Sequence, residues 1–217
     1  MSEKYPGYDV LSKRNSPSWN EQTRRVIDAR LAIDPTAHRF FTDEEWPLVC
    51  AICARIIPQP PSPAATVPLG AMLDEKLFHD QRDGYRDARL PPQRDAWRRA
   101  LQAIEAQARD SHGRSFSQLD GVEQDRLLQA IQHGQPAHPA WAGMPPALFF
   151  TNRLLHDIVS AYYAHPLAWN QIGFGGPASP RGYVRMDFDR RDSWEAAAAQ
   201  PGQEQQARRE NSRVGSG

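Results

Sequence analysis

Cys50-Ala51-Ile52-Cys53 sets two thiols three positions apart, the spacing of a dithiol redox pair or of half a zinc site. Redox work needs the cysteines at a helix N-terminus in a βαβ setting, where the dipole lowers a thiol pKa. Here the pair falls mid-helix, on the apolar side of the pattern, and the nearest histidine, His38, lies outside that helix. A zinc site would need two more ligands, and no Cys-x-x-Cys-His marks a haem attachment. The cysteines therefore read as small core residues.

His156-Asp157 is the second pair. Adjacent helical positions diverge by about 100°, so a dyad is not expected, although a proton relay is the chemical reading. The structural reading is that each satisfies a buried backbone group or Arg153. Gly173-x-Gly175-x-x-Ala178 matches the letters of a dinucleotide fingerprint. A helix precedes it rather than a strand, and Pro177 and Pro180 forbid the helix that should follow. No nucleophile, base and orienting group can be assembled from the rest. The alternative kept open is a stand-alone redox or metal-dependent enzyme using Cys50/Cys53 or His156/Asp157.

Recognition residues are easier to find. Leu167 to Tyr183 is rich in glycine and proline yet carries Trp169, Asn170, Ile172, Phe174, Arg181 and Tyr183. A solvated linker would lack the aromatics and a core helix would lack the glycines. Aromatic and arginine side chains dominate interface energetics, so these residues, with Tyr5 and Tyr8 near the N-terminus, are the candidate partner contacts. The same residues could pack the tail onto its own bundle, and the two roles are compatible.

The elements that must position them form an all-α fold: an irregular bundle of about six helices, an extended N-terminal arm and a Gly/Pro-rich C-terminal segment. Ser18-x-x-Glu21, Thr42-x-x-Glu45 and Asp120-x-x-Glu123 are capping boxes at three helix starts. Trp19, Val26, Ile27 and Leu31 are expected to face inward on the first helix. Pro47 sits awkwardly early in the second. Further helices are expected from Pro68, from Pro92 to Ser111 with Gly113 behind it, and from Ala147 to Ala164. The division read from the sequence is an arm over 1–17, a helical domain over 18–166, a docking segment over 167–188, and a disordered tail over 189–217.

Composition narrows the partners. The 217 residues carry 26 Lys+Arg and 26 Asp+Glu, so no net basic field favours nucleic acid or an anionic membrane. No apolar run approaches the ~20 residues that span a bilayer. The N-terminus has no apolar signal region, and the helix after Arg24-Arg25 carries Asp28 and Arg30. Synthesis in the cytoplasm is expected, with any periplasmic location reached by co-export with a partner.

Three stretches carry a family resemblance: Phe40-Phe-Thr-Asp-Glu-Glu-Trp46 with its helix to Arg55-Ile-Ile-Pro58, then Gly84 to Pro92, and Ala161 to Val184. Together they resemble the gluconate 2-dehydrogenase subunit 3 (gamma subunit) family over roughly residues 5–188. The resemblance implies a small, non-catalytic subunit of a membrane-associated sugar or sugar-acid dehydrogenase. It implies an FAD flavoprotein partner of the glucose-methanol-choline type, often with a multihaem cytochrome c subunit as electron acceptor. The small subunit itself would hold no cofactor and would serve maturation, stability or export. Family members often carry a twin-arginine signal, and this sequence departs from them there.

Overall fold

The structure, a computed structural model, describes residues 4–60, 66–84, 86–135, 138–180, 182 and 194–214. It is all-α. Among the described residues the helices are α1 (Glu21–Leu31), α2 (Trp46–Ile56), α3 (Leu69–Phe78), α4 (Gln93–His112), α5 (Gly121–Gln132), α6 (Pro146–Phe149), α7 (His156–Ala164), α8 (Pro166–Ile172) and α9 (Glu204–Asn211). Extended pairing among these residues amounts to one isolated bridge between Trp19 and Ser179. The chain forms two compact units, Ile33–Tyr162 and, from both chain ends, Met1–Ala32 with Tyr163–Gly217. This differs from the division expected above, which kept the two ends apart.

In the unit Ile33–Tyr162, local signals place the helices. Thr42 and Glu45 exchange both capping bonds: the Glu45 carboxylate accepts from the Thr42 amide at 3.0 Å, and Thr42 Oγ1 accepts from the Glu45 amide at 3.3 Å. Pro47 falls in the first turn of α2, where its missing N–H leaves no helical bond unmade. Asp120 and Glu123 cap α5 reciprocally. Gly113 ends α4 in the left-handed region at φ 68°. Helix α2 packs on α3, α4 and α5, and α6 packs on α4 and α5. Their core is aromatic. Trp97 meets Phe149 edge-on at 5.4 Å, and Phe149 lies 5.9 Å from Trp141.

The helix expected over Ala147–Ala164 is interrupted. Between α6 and α7 the chain makes a π-helical stretch, Phe150–Leu155, which buries Phe150, Arg153 and Leu154. Sequence periodicity does not encode this wider turn. Val122, in the first turn of α5, is 60% exposed.

The unit Met1–Ala32 with Tyr163–Gly217 departs further from expectation. Helix α1 is capped by Asn20, whose side chain accepts from the Thr23 amide at 2.9 Å, not by Ser18, which is fully buried. Of its expected inner face, Trp19 and Ile27 are buried, whereas Val26 and Leu31 are about two-fifths exposed. The arm is not merely extended. It makes a 3-10 turn, Val10–Lys13, capped by Asp9. It is then stitched to the C-terminal stretches: Asn20 N–H to Ser179 O at 2.8 Å, Trp19 Nε1 to Pro177 O at 2.8 Å, and Ser12 Oγ to Val214 O at 2.9 Å. The reading of 189–217 as disordered is corrected for residues 194–214. Trp194, Ala196 and Ala197 are buried, and Asn211 on α9 bonds to Pro6 O at 3.0 Å and to both polar groups of the Ala197 backbone. The low complexity of that stretch hid these long-range bonds, since its partners lie at the other end of the chain.

Gly173 shows why glycine is needed in the C-terminal segment. Its φ is +68°, and a Cβ there would stand 2.5 Å from a ring carbon of Tyr5. Gly173→Ala is expected to cost about 1–3 kcal/mol by strain alone and to expel Tyr5 from its seat. Denaturant melts and proteolysis of the N-terminal arm check this; an arm as resistant as in the parent would contradict it.

Candidate docking surface

Helix α8 begins where His165 Nδ1 accepts from the Leu167 amide at 3.3 Å and where Pro166 occupies the first turn. The Gly/Pro-rich segment is therefore helical up to Ile172. His165 is 3% exposed. Burial pushes its pKa below the ordinary 6.5, outweighing a hydrogen bond with the Arg30 backbone that acts the other way, and the Arg30 charge lowers it further. The folded chain therefore refuses a proton that the unfolded chain takes. Stability from this residue is complete above pH 6.5 and is lost as pH falls below it. The difference in stability between the parent and His165→Gln should shrink steadily below that pH; a constant difference over the range would refute it.

The named recognition residues separate into two groups. Tyr8 (6% exposed) and Trp169 (3%) are core, packed with Val10, Trp19, Ile27, Ala196 and Val214. Tyr8 donates its hydroxyl to Trp194 O at 3.1 Å, and Trp169 Nε1 donates to Tyr163 O at 2.6 Å. Asn170 Oδ1 accepts from the Val10 amide at 2.8 Å, which fixes the arm to α8. These three hold the surface.

Ile172 (44% exposed) and Phe174 (42%) face outward. Phe174 stands edge-on to Trp169 at 5.8 Å and 88°. Tyr5, Ile172, Phe174, Gly175, Glu195 and Ala198 line a shallow groove of about 540 Å³. Arg181 and Tyr183 lie outside the described residues. Sequence reasoning missed Lys13 and Trp194. Lys13 is 1% exposed, its ammonium donates to Gly175 O, and it lies 5.7 Å from the centre of the Trp194 ring. A lone tryptophan ahead of four alanines was the available signal.

The titratable candidates sit elsewhere, in the unit Ile33–Tyr162. Asp157 is 1% exposed. It accepts from Trp97 Nε1 at 2.8 Å and from Lys76 Nζ at 2.9 Å. Lys76 also donates to Asp83 at 2.8 Å, and Arg153 Nη1 donates to Asp83 at 2.9 Å. Burial would raise the Asp83 pKa and lower that of Lys76, but these contacts outweigh it: Asp83 lies below, and Lys76 above, its ordinary value. Both stay charged at neutral pH. Despite the angular divergence of neighbours, His156 Nδ1 comes within 3.4 Å of Asp157 Oδ1. Asp83, His156 and Asp157 offer ligand atoms within 4.8 Å of one another, which is a spacing a metal could use. The Lys76 ammonium already contacts both carboxylates there, so two cations balance two anions. Cys53 is buried and Cys50 sits at the exposed margin of α2 with its sulfur near Gly70. Burial pushes both thiols above their ordinary value, the reverse of an activated pair.

No helix among the described residues is long and apolar enough to cross a membrane. No curated protein and no solved structure matches the chain. The family model described as gluconate 2-dehydrogenase subunit 3 matches residues 43–176. That span is shorter than the 5–188 expected from the resemblance: it reaches Phe174 but excludes Tyr5, Tyr8, Arg181 and Tyr183. It covers well over half of the sequence, and the chain belongs to the gluconate 2-dehydrogenase subunit 3 family.

Proposed function

We propose that this protein is a non-catalytic accessory subunit that stabilises and assembles an FAD-dependent flavoprotein of the glucose-methanol-choline type, acting on a sugar or sugar acid. Tyr5, Ile172 and Phe174 are the contact residues, joined by Arg181 and Tyr183; Tyr8, Trp169 and Asn170 hold them in place. One observation carries this reading. Ile172 and Phe174 leave large apolar groups in solvent at the end of a helix whose Asn170 and Trp169 are locked by Val10 and Tyr163. Paired exposed anchors on a prepared scaffold suit a protein interface. The family supports the dehydrogenase setting. The charge cluster around Lys76 supports no catalytic role, because every strong contact in it neutralises a neighbour.

An accessory chain that binds only the folded flavoprotein shifts that partner's folding equilibrium by mass action, with no chemistry of its own. The flavin stays in the partner, a cytochrome c subunit completes the electron path, and any transfer to the periplasm occurs with the partner. Co-expression tests this. The flavoprotein encoded beside this chain is expected to be soluble and flavin-loaded only when both are made. Equal yield, flavin content and activity without this chain would overturn the reading.

A further inference from the structure

A second concave site lies in the unit Ile33–Tyr162. It is a cavity of about 260 Å³ bounded by three arginines, Arg82, Arg86 and Arg153, one carboxylate, Asp83, and by Pro92, Gln93 and the open backbone at Gly84. A Cβ built on Gly84 would meet nothing within 4 Å. Gln93 is the first residue of α4, a 20-residue helix whose N-cap is Pro92 and which has no side-chain cap. Its first-turn amides and the positive end of its dipole are therefore not answered by a capping group.

Gln93 supplies the independent observation. It is 7% exposed, yet its side-chain Nε2 has no hydrogen-bond partner among the described residues. A buried amide donor without an acceptor is costly and calls for an explanation. The surrounding groups state what is missing. Arg82 is answered by Asp80, and Asp83 by Lys76 and Arg153. Among the described residues Arg86 reaches a backbone carbonyl, that of Leu90, and no carboxylate of the cavity wall pairs with it. Donors outnumber acceptors, and one full positive charge remains. A single water could accept from Gln93 but would leave the charge and most of the volume unanswered.

We infer that this cavity binds a small oxyanion, a phosphate or a carboxylate, with Gln93 Nε2, the Arg86 guanidinium and the start of α4 as its donors. Planar guanidinium groups and helix N-terminal amides both match the geometry of such oxygens. The volume suits a compact anion better than a nucleotide, and the polar rim distinguishes the site from the apolar docking groove.

Thermal melting of the full chain in inorganic phosphate and in succinate, each against sodium chloride at matched ionic strength, tests this. Either oxyanion is expected to raise Tm by about 2–4 °C at saturation. A response to phosphate alone identifies a phosphate ligand, and a response to succinate alone a carboxylate. Gln93→Leu is expected to melt no lower than the parent in chloride, because it removes the unanswered donor. Its affinity for the anion should fall roughly tenfold. Arg86→Gln, at an exposed position, removes the unbalanced charge; it should also weaken binding and keeps the test decisive if Gln93→Leu does not fold. No oxyanion-specific shift, or an identical shift in parent and variants, would overturn the assignment.

Discussion

Asp157→Ala is expected to lower the stability of the folded chain by about 3–5 kcal/mol. The carboxylate is buried and receives two donors, the Trp97 indole N–H and the Lys76 ammonium. Removing it leaves a buried cation with one fewer counter-charge and an indole N–H with no acceptor. Asp157→Asn keeps an acceptor for Trp97 and should cost clearly less. The double variant Lys76→Met/Asp157→Leu removes both charges together and should lose less than the two single changes summed, because pairing rather than charge is what the site requires. Denaturant unfolding of the parent, Lys76→Met, Asp157→Leu and the double variant gives the comparison, with Asp157→Ala and Asp157→Asn measured beside them. Additive losses would mean that Lys76 and Asp157 act independently, contrary to their 2.9 Å contact.

Trp169→Ala is expected to cost about 3–5 kcal/mol, whereas Phe174→Ser should change stability by about 1 kcal/mol or less. The two rings touch, yet they do different work. Trp169 is in the core and donates to Tyr163 O; Phe174 leans on its edge with 42% of its surface in solvent. Loss of partner binding in Trp169→Ala would therefore follow from unfolding of the unit that carries the surface. Equal destabilisation by both changes would place Phe174 in the core and remove it from the interface.

Local signals explain what was legible in the sequence. The boxes at Thr42 and Asp120, the stop at Gly113 and the buried stripe of Trp97, Leu101, Ile104 and Ala108 act within a few residues, so spacing alone reports them. Ser18 misled because its hydroxyl has the right spacing to Glu21, while Trp19 is drawn into the core and moves the cap to Asn20. The π-helical stretch at Phe150–Leu155 left no mark, since a one-residue widening of a turn changes no residue type. The largest gap was the joining of the two chain ends. Asn211 satisfies Pro6 across 205 positions, and nothing near either residue announces the other.

The candidate contacts were found by composition, and only burial could sort them. Tyr8, Trp169 and Asn170 look like Ile172 and Phe174 on paper, because aromatic and polar residues serve cores and interfaces alike. The buried oxyanion donor at Gln93 was invisible for the same reason: a glutamine at a helix start has no distinguishing neighbour.

Binding of the purified flavoprotein subunit to the double variant Ile172→Ser/Phe174→Ser, with Tm measured on the same samples, probes the docking surface without disturbing its scaffold. The expected result is a loss of affinity of roughly thirtyfold or more, with Tm within a few degrees of the parent. Unchanged affinity in a folded double variant would contradict the account, because the partner would then be held elsewhere on the chain.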